Sequence, residues 1–294
     1  MKKVLITGAD GFLGNHLTNH LINKKFNVIE LSDQVKKKST MNRIHGDIRS
    51  INKLPEKISH IIHFAAMADV EYCKNHPKDC LEINVIGTQN MLELVRKNNS
   101  KFIFASTSHI FGSPKKLPIS EDDDLHPQSI YAASKACCEL ICKTYSELYG
   151  LDIIILRLFS IYGPNCPQYS IVNKVISQIL QENKIKIGNV HPKRDFLYVD
   201  DFVTAVELLM EKNVKGFLKY NIGYGESTSI YDLCNKLIKI SGKPIQILQD
   251  KKLIREKEIP DLKCDISKIQ ELGWKPNVRL DEGLQKTFDW FKKH

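Results

Sequence analysis

Of the ten tyrosines in this chain, Tyr131 alone has a lysine four residues on, in Ile130-Tyr131-Ala132-Ala133-Ser134-Lys135. On a helix that spacing puts both side chains on one face. A phenol with the ordinary pKa of about 10 is a poor base at neutral pH. An ammonium beside it favours the phenolate. Upstream lies Ser106-Thr107-Ser108, whose hydroxyls can share a proton path to a substrate alcohol. Tyr131, Lys135 and one of these three hydroxyls are therefore the candidate catalytic group. Their chemistry would be alcohol–ketone interconversion, with a hydride passing between the same carbon and a nicotinamide.

A place for such a cofactor opens the chain. Val4-Leu5-Ile6 is a short apolar run with the form of a buried strand, and Gly8, Gly11 and Gly14 follow it. Leu13, Leu17, Leu21 and Ile22 then recur at helical steps. Strand, glycine turn and helix together make a phosphate cradle, in which a pyrophosphate meets the free N–H groups and positive end of the helix. Glycine is needed there because a Cβ would block the approach of phosphates, or of strand to helix. Gly8, Asp10, Gly11, Phe12, Leu13 and Gly14 are the candidate residues of this cradle.

The elements that must position these groups alternate between strand and helix. Phe26 to Leu31 reads as a second strand, and Ser32 falls where dinucleotide folds place a ribose-binding acid, with Asp33 next to it. A serine there removes the carboxylate that would repel a 2′-phosphate, and Lys36 to Lys38 could meet one, so NAD and NADP both stay open and a loose preference is expected. Arg43 to Gly46 is a third strand, ending at Asp47 and Ile48, where an acid could reach an adenine amino group. Ile58 to Ala66 is a fourth, its small Ala65-Ala66 end, after Phe64, admitting the cofactor. Residues 80–98 have a helical rhythm, Lys101 to Ala105 is a fifth strand, 130–148 a long helix and Asp152 to Leu158 a sixth strand. This alternation predicts an α/β fold with a doubly wound parallel sheet. Ligands in such sheets lie outside the carboxyl ends of the strands, where Gly8–Gly14, Ala65–Ala66 and Ser106–Ser108 all fall.

Beyond Gly163-Pro164-Asn165 the chain is expected to leave the sheet. Helices are expected at 201–212 and 229–241, a strand ending at Tyr220 to Gly223, and a C-terminal helix over 280–291 with Leu284, Phe288 and Phe291 on one face. The expected division is a dinucleotide-binding domain over 1–165, to which 190–225 returns, and a smaller substrate lobe from 166–189 and 226–294. Arg194 and Arg255 are candidates for a substrate diphosphate, because guanidinium pairs bidentately with phosphate oxygens.

Composition bounds the rest. A charged fraction of 26% with 42% hydrophobic residues is that of a globular chain, and no apolar run has the length of a membrane span. The net charge of +9 comes from scattered lysines without a basic–aromatic motif. That pattern argues against nucleic acid as a partner and for a solvated surface whose field would draw in a small anion. None of the eight cysteines stands at metal-site spacing, and Cys138 and Cys142 read as buried small apolar residues on a helix. His16 and His20 read as surface or core residues, so no metal is expected. Residues 1–14 lack a signal cleavage site, which makes the cytoplasm the expected compartment.

Taken in order, these motifs resemble one family over essentially the whole length. They are Thr7 through Gly14, Asp47-Ile48, His63 through Ala66, Asn84, Ser106-Thr107-Ser108, Tyr131 with Lys135, Leu156 through Pro164, Arg194-Asp195-Phe196, Tyr198-Val199-Asp200-Asp201, and Leu272 through Pro276. The chain resembles the extended short-chain dehydrogenase/reductases, the NAD-dependent epimerase/dehydratase group acting on nucleotide sugars. The resemblance implies a Rossmann domain holding NAD or NADP and a C-terminal lobe holding a nucleotide-diphosphate sugar. It implies Tyr131 as acid/base, Lys135 on the nicotinamide ribose, Thr107 on the reacting hydroxyl, Ser108 and His109 beside the sugar, and a homodimer formed through residues 80–98 and 130–148. In the family's 4,6-dehydratases the tripeptide after the fifth strand usually ends in an acid. Here it is Thr107-Ser108-His109, which points to epimerisation or, alternatively, to reduction of a 4-keto sugar. Residues 68–73 and 106–111 look like the 4-keto reductases, and Arg194 to Phe196 more like epimerases. Ser160 stands where epimerases often carry asparagine.

Overall fold

The computed structural model describes residues 2–33, 42–54, 57–213, 215–254 and 258–294. In chain order the elements are β1 (Lys3–Thr7), α1 (Phe12–Asn23), β2 (Asn27–Ser32), β3 (Arg43–His45), β4 (His60–His63), α2 (Val70–Asn75), α3 (Pro77–Leu81), α4 (Gly87–Asn98), β5 (Lys101–Thr107), α5 (Ile130–Tyr149) and β6 (Ile153–Leu158). There follow β7 (Ser160–Tyr162), α6 (Ile171–Gln181), β8 (Lys184–Ile187), β9 (Lys193–Tyr198), α7 (Val199–Glu211), β10 (Phe217–Ile222), β11 (Ser227–Ser229), α8 (Ile230–Ser241), β12 (Gln246–Gln249), β13 (Asp261–Leu262), α9 (Ser267–Gln270) and α10 (Leu280–Lys293). The contacts divide them into two units: residues 1–111, 125–157 and 203–220, and residues 112–124, 158–202 and 221–294.

The first unit is built on a seven-stranded sheet in the order β10-β6-β5-β4-β1-β2-β3. β1 runs parallel to β2 on one side and to β4 on the other, so the strand order reverses beside it. This is the Rossmann-type doubly wound sheet. Strand residues Leu5, Ile29, Ile61, Phe102, Phe104 and Ile155 pack with Leu92 and Val95 of α4 and with Cys138 and Cys142 of α5, all fully or nearly fully buried. Each large side chain so buried contributes about 1.5–3 kcal/mol over its exposed state. The two cysteines thus act as small core residues.

Two local readings change. The fourth strand is four residues long, so Ala65 and Ala66 sit in the loop beyond it. The helical rhythm after Cys80 is broken by a π-helical turn over Glu82–Ile86 before α4 begins. Such turns insert one residue into a helix and re-aim its side chains. A short strand that the sequence did not mark, β7, pairs in parallel with β9, Ser160 opposite Phe196.

The second unit centres on β9, paired with β7, β11 and β13. Two buried acids hold its loops. Asp195 accepts the N–H groups of Tyr224, Gly225 and Cys264 at 2.6, 2.8 and 3.1 Å. Asp201 accepts those of Asn277 and Val278 at 3.0 and 2.9 Å. On α10, Leu284 and Phe288 are buried, as their spacing predicts.

Candidate functional site

The turn after β1 shows why its glycines are glycines. Gly8 has a φ of +68°, and a Cβ on it would stand 2.7 Å from the Ala65 backbone nitrogen. A Cβ on Gly14 would stand 2.1 Å from the Gly8 carbonyl oxygen. Gly8 therefore lets the β4 loop close on the turn, and Gly14 lets α1 close on β1. Gly11 is the exposed one: it caps α1 with no side chain of its own to bond the helix's first N–H groups, and no acid stands in the first turn of the helix. The N-terminus of a 12-residue helix capped by glycine suits an anion.

The turn borders a cleft of about 280 Å³ within the first unit. Its lining includes Gly8, Asp10, Gly11, Ser32, Asp33, Asp47, Ile48, Ala65 and Ala66, nine of the residues singled out for a dinucleotide. Phe12, Leu13 and Gly14 form the first turn of α1 behind it, with the Phe12 ring edge-on to His16 at 5.3 Å. Phe64 joins the cleft to β1 through its N–H on the Thr7 carbonyl at 3.3 Å. The sequence did not mark Leu31, Gly46, Arg49, Met67 or Ile83, which line it too. Arg49 matters most of these. Its Nη2 lies 2.5 Å from Asp47 and its backbone N–H 2.8 Å, and the guanidinium holds the Asp47 carboxyl below the usual range. Lys36, Lys37 and Lys38 lie outside the described residues.

One wall of the cleft is fixed by a buried chain of hydrogen bonds. Thr88 Oγ1 donates to the Asn84 carbonyl at 2.6 Å, so it must accept from His63 Nε2 at 3.2 Å. His63 Nδ1 is then an acceptor, and takes the Thr7 hydroxyl at 2.7 Å; Thr7 in turn accepts the Ala65 N–H at 3.1 Å. The chain defines one tautomer of His63. Burial and the Lys135 charge push this imidazole down to about 3, so it stays neutral.

The candidate catalytic residues lie at the end of β5 and the start of α5. Ser129 caps α5 through the Ala132 N–H, which starts the helix just before Tyr131. Lys135 is 3% exposed, and its Nζ donates to the Ala105 carbonyl at 2.8 Å, 4.6 Å from the centroid of the Phe104 ring. Burial lowers its proton affinity. Thr107 and Ser108 are buried, and Thr107 Oγ1 accepts the His109 N–H at 3.3 Å. His109 packs edge-on to the Tyr131 ring at 6.4 Å. Ser106 Oγ is buried and bonds no group among the described residues, which a bound ligand would remedy. Asn84, on the π turn, ties this group to the cleft wall. Its amide bonds the Met67 N–H at 2.8 Å, the Met67 carbonyl at 3.0 Å and Ser134 Oγ at 2.9 Å, and Ser134 donates to the Tyr131 carbonyl.

The remaining candidates are not part of this group. Arg194 belongs to the second unit, where its Nη1 donates to the Lys193 and Ile259 carbonyls at 2.7 and 2.9 Å. Arg255 lies outside the described residues. His20 bonds Glu207 at 2.6 Å. No helix among the described residues is long and apolar enough to cross a membrane.

Residues 5–287 match the family model described as GDP-mannose 4,6 dehydratase. The chain is 34% identical to the "Putative UDP-glucose 4-epimerase" of Methanocaldococcus jannaschii, covering 99% of both. It is 31% identical to a UDP-N-acetyl-alpha-D-glucosaminuronate decarboxylase of Bacillus cytotoxicus, over 99% of this chain and 98% of that one. Among solved structures it is similar to UDP-glucuronic acid 4-epimerase from Bacillus cereus in complex with UDP-glucuronic acid and NAD. The identity there is 31%, the TM-score 0.90, and 99% of each chain is covered.

Proposed function

The chain belongs to the extended short-chain dehydrogenase/reductase family, the NAD-dependent epimerase/dehydratase group, and within it we propose that the protein is an NAD(P)-dependent nucleotide-sugar epimerase acting at C4. One observation carries the choice of reaction. Tyr131, Lys135 and Thr107 are all present where strand β5 and helix α5 meet, while the tripeptide Thr107-Ser108-His109 has no carboxylate. Dehydration needs a base for the C5 proton and an acid for the departing C6 hydroxyl, placed together. A lone imidazole at His109, packed on Tyr131, would have to serve as both. Epimerisation needs neither.

The glycine turn, the glycine-capped N-terminus of α1 and the cleft fit a dinucleotide. Once bound, the dinucleotide supplies the acceptor and later the donor of the hydride. Tyr131 would take the proton of the C4 hydroxyl and, after the 4-keto sugar has turned over so that the hydride returns to its opposite face, would give the proton back to the C4 oxygen. One of the three Lys135 donors is used by the Ala105 carbonyl. We assign the other two to the Tyr131 oxygen and a ribose hydroxyl, where a desolvated ammonium stabilises the phenolate strongly. Thr107 is assigned to the reacting hydroxyl, Ser108 and His109 to the sugar, and Arg194 to the diphosphate. Structural relatives holding UDP-glucose or UDP-glucuronic acid favour a UDP-sugar as substrate. The exposed apolar residues of α5 favour a homodimer.

The alternative, reduction of a 4-keto sugar nucleotide, is favoured by the likeness of residues 68–73 to reductases, with Asp69 capping α2. A UDP-hexose panel separates the two. An epimerase gives a product of unchanged mass and keeps its dinucleotide, whereas a reductase consumes NAD(P)H one for one. Tyr131→Phe should cut turnover by about 10²–10⁴-fold with cofactor binding nearly unchanged. A variant that keeps more than about a tenth of the activity, against that expectation, would remove Tyr131 from the mechanism.

A further inference from the structure

At the adenosine end of the cleft the missing acid is replaced from elsewhere in the chain. Ser32 Oγ donates to Asp10 Oδ2 at 2.5 Å. Behind them, outside the lining, Arg43 bridges two carboxylates. Its Nη1 and Nη2 reach Asp10 Oδ2 and Oδ1 at 2.8 and 2.9 Å, and its Nε reaches Glu30 Oε2 at 2.9 Å. The β2–β3 register puts Arg43 directly opposite Glu30. Ser32, Glu30 and Arg43 are largely buried, so the cluster is a fixed part of the wall.

We propose that Asp10, acting through Ser32, makes this enzyme selective for NAD over NADP. A serine hydroxyl has one proton and two lone pairs. Here the proton is committed to Asp10, so Ser32 presents lone pairs to whatever occupies the ribose position. A 2′-hydroxyl can donate to them, but an ionised 2′-phosphate has no proton to give. Charge acts in the same direction. Asp10, Glu30 and Asp33 bring three negative charges to one positive at Arg43, and the arginine is already shared between two carboxylates. Asp10 is therefore a positioning residue for the cofactor, and the expectation of a loose preference from Ser32 alone gives way to a firm one. The proposal rests on the dinucleotide reading of the cleft.

The test is direct binding, read by quenching of protein fluorescence with NADH and with NADPH. Wild-type protein should bind NADH at least tenfold more tightly than NADPH. In Asp10→Ala, which releases the Ser32 proton and leaves Arg43 with Glu30 alone, the ratio of the two dissociation constants should fall by at least tenfold, mainly through tighter NADPH binding. A merely structural role would weaken both ligands alike and leave the ratio unmoved, which would overturn the proposal. Should that variant fail to fold, Ser32→Ala is the second arm: it should weaken NADH several-fold and leave NADPH unchanged, and equal loss of both would overturn the proposal. Equal affinity of wild type for both ligands overturns selectivity but leaves the dinucleotide reading standing. Failure to bind either overturns both.

Discussion

His63 illustrates how much of this site depends on single residues buried beneath it. Its ring joins Thr7 of β1 to Thr88 of α4, and through Thr7 it holds the Ala65 N–H at the cleft wall. An imidazole pushed down to about 3 in the fold, against about 6.5 when unfolded, ties stability to pH. Between those values the unfolded chain binds the proton and the folded one does not, so this stabilisation is complete above pH 6.5 and is lost as pH falls. His63→Asn should be the less stable protein at pH 8, since the relay is broken. The gap should narrow below pH 6.5 by about 1.4 kcal/mol per pH unit, as measured by urea unfolding. A constant gap would mean that the imidazole is not held neutral. The chemistry-bearing residues were legible in the sequence because their signals are local: Tyr131 and Lys135 a helical step apart, and glycines three apart between strand and helix. Asp10 was legible only as part of the turn. Its partner Arg43 is 33 positions away, and they meet only through the β2–β3 register, which no short-range pattern reports.

Among the elements, α5 bears the most constraint. It starts at the Ser129 cap, carries Tyr131 and Lys135, and is anchored farther along by Glu139 to Arg157 of β6. That pair is bidentate, with Nη2 at 2.8 Å from Oε2 and Nε at 3.1 Å from both oxygens, and it is 3–5% exposed. The Arg157 guanidinium lies 5.0 Å from the Phe111 ring centroid, at the end of the turn that begins with Ser108. Glu139→Ala leaves this charge buried without its partner and should cost about 3–5 kcal/mol in denaturant unfolding. The double change Glu139→Met with Arg157→Met should cost much less, because no charge is then left unpaired. Equal losses would show that packing, not the ion pair, is what α5 needs. The helix itself was predictable from its apolar rhythm. The π turn at Glu82–Ile86 was not, since the apolar residues of 80–98 fit an ordinary helix and the partners that Asn84 bonds at the break, Met67 and Ser134, are 17 and 50 positions away.

For the whole molecule, the doubly wound order of the first unit followed from alternating strands and helices, whereas the β7–β9 pairing of the second did not. β7 is three residues long, too short for its alternation to be read. Large apolar side chains left in solvent are the remaining feature. On α5, Leu140, Leu148 and Tyr149 are 65%, 69% and 49% exposed, and Ile86 on the preceding π turn is 49% exposed. Such surfaces mark interfaces. Light scattering should give a dimer for wild type and a monomer with unchanged circular dichroism for the Leu140→Glu, Leu148→Glu double variant. A wild-type monomer at micromolar concentration would remove the homodimer. The reaction itself is tested most directly by a UDP-hexose panel deuterated at C4, with product analysed by mass spectrometry and proton NMR. Internal return of the hydride predicts a C4 epimer that keeps its deuterium, with no net change in bound dinucleotide. Products lacking water, or deuterium accumulating on released dinucleotide, would contradict an epimerase.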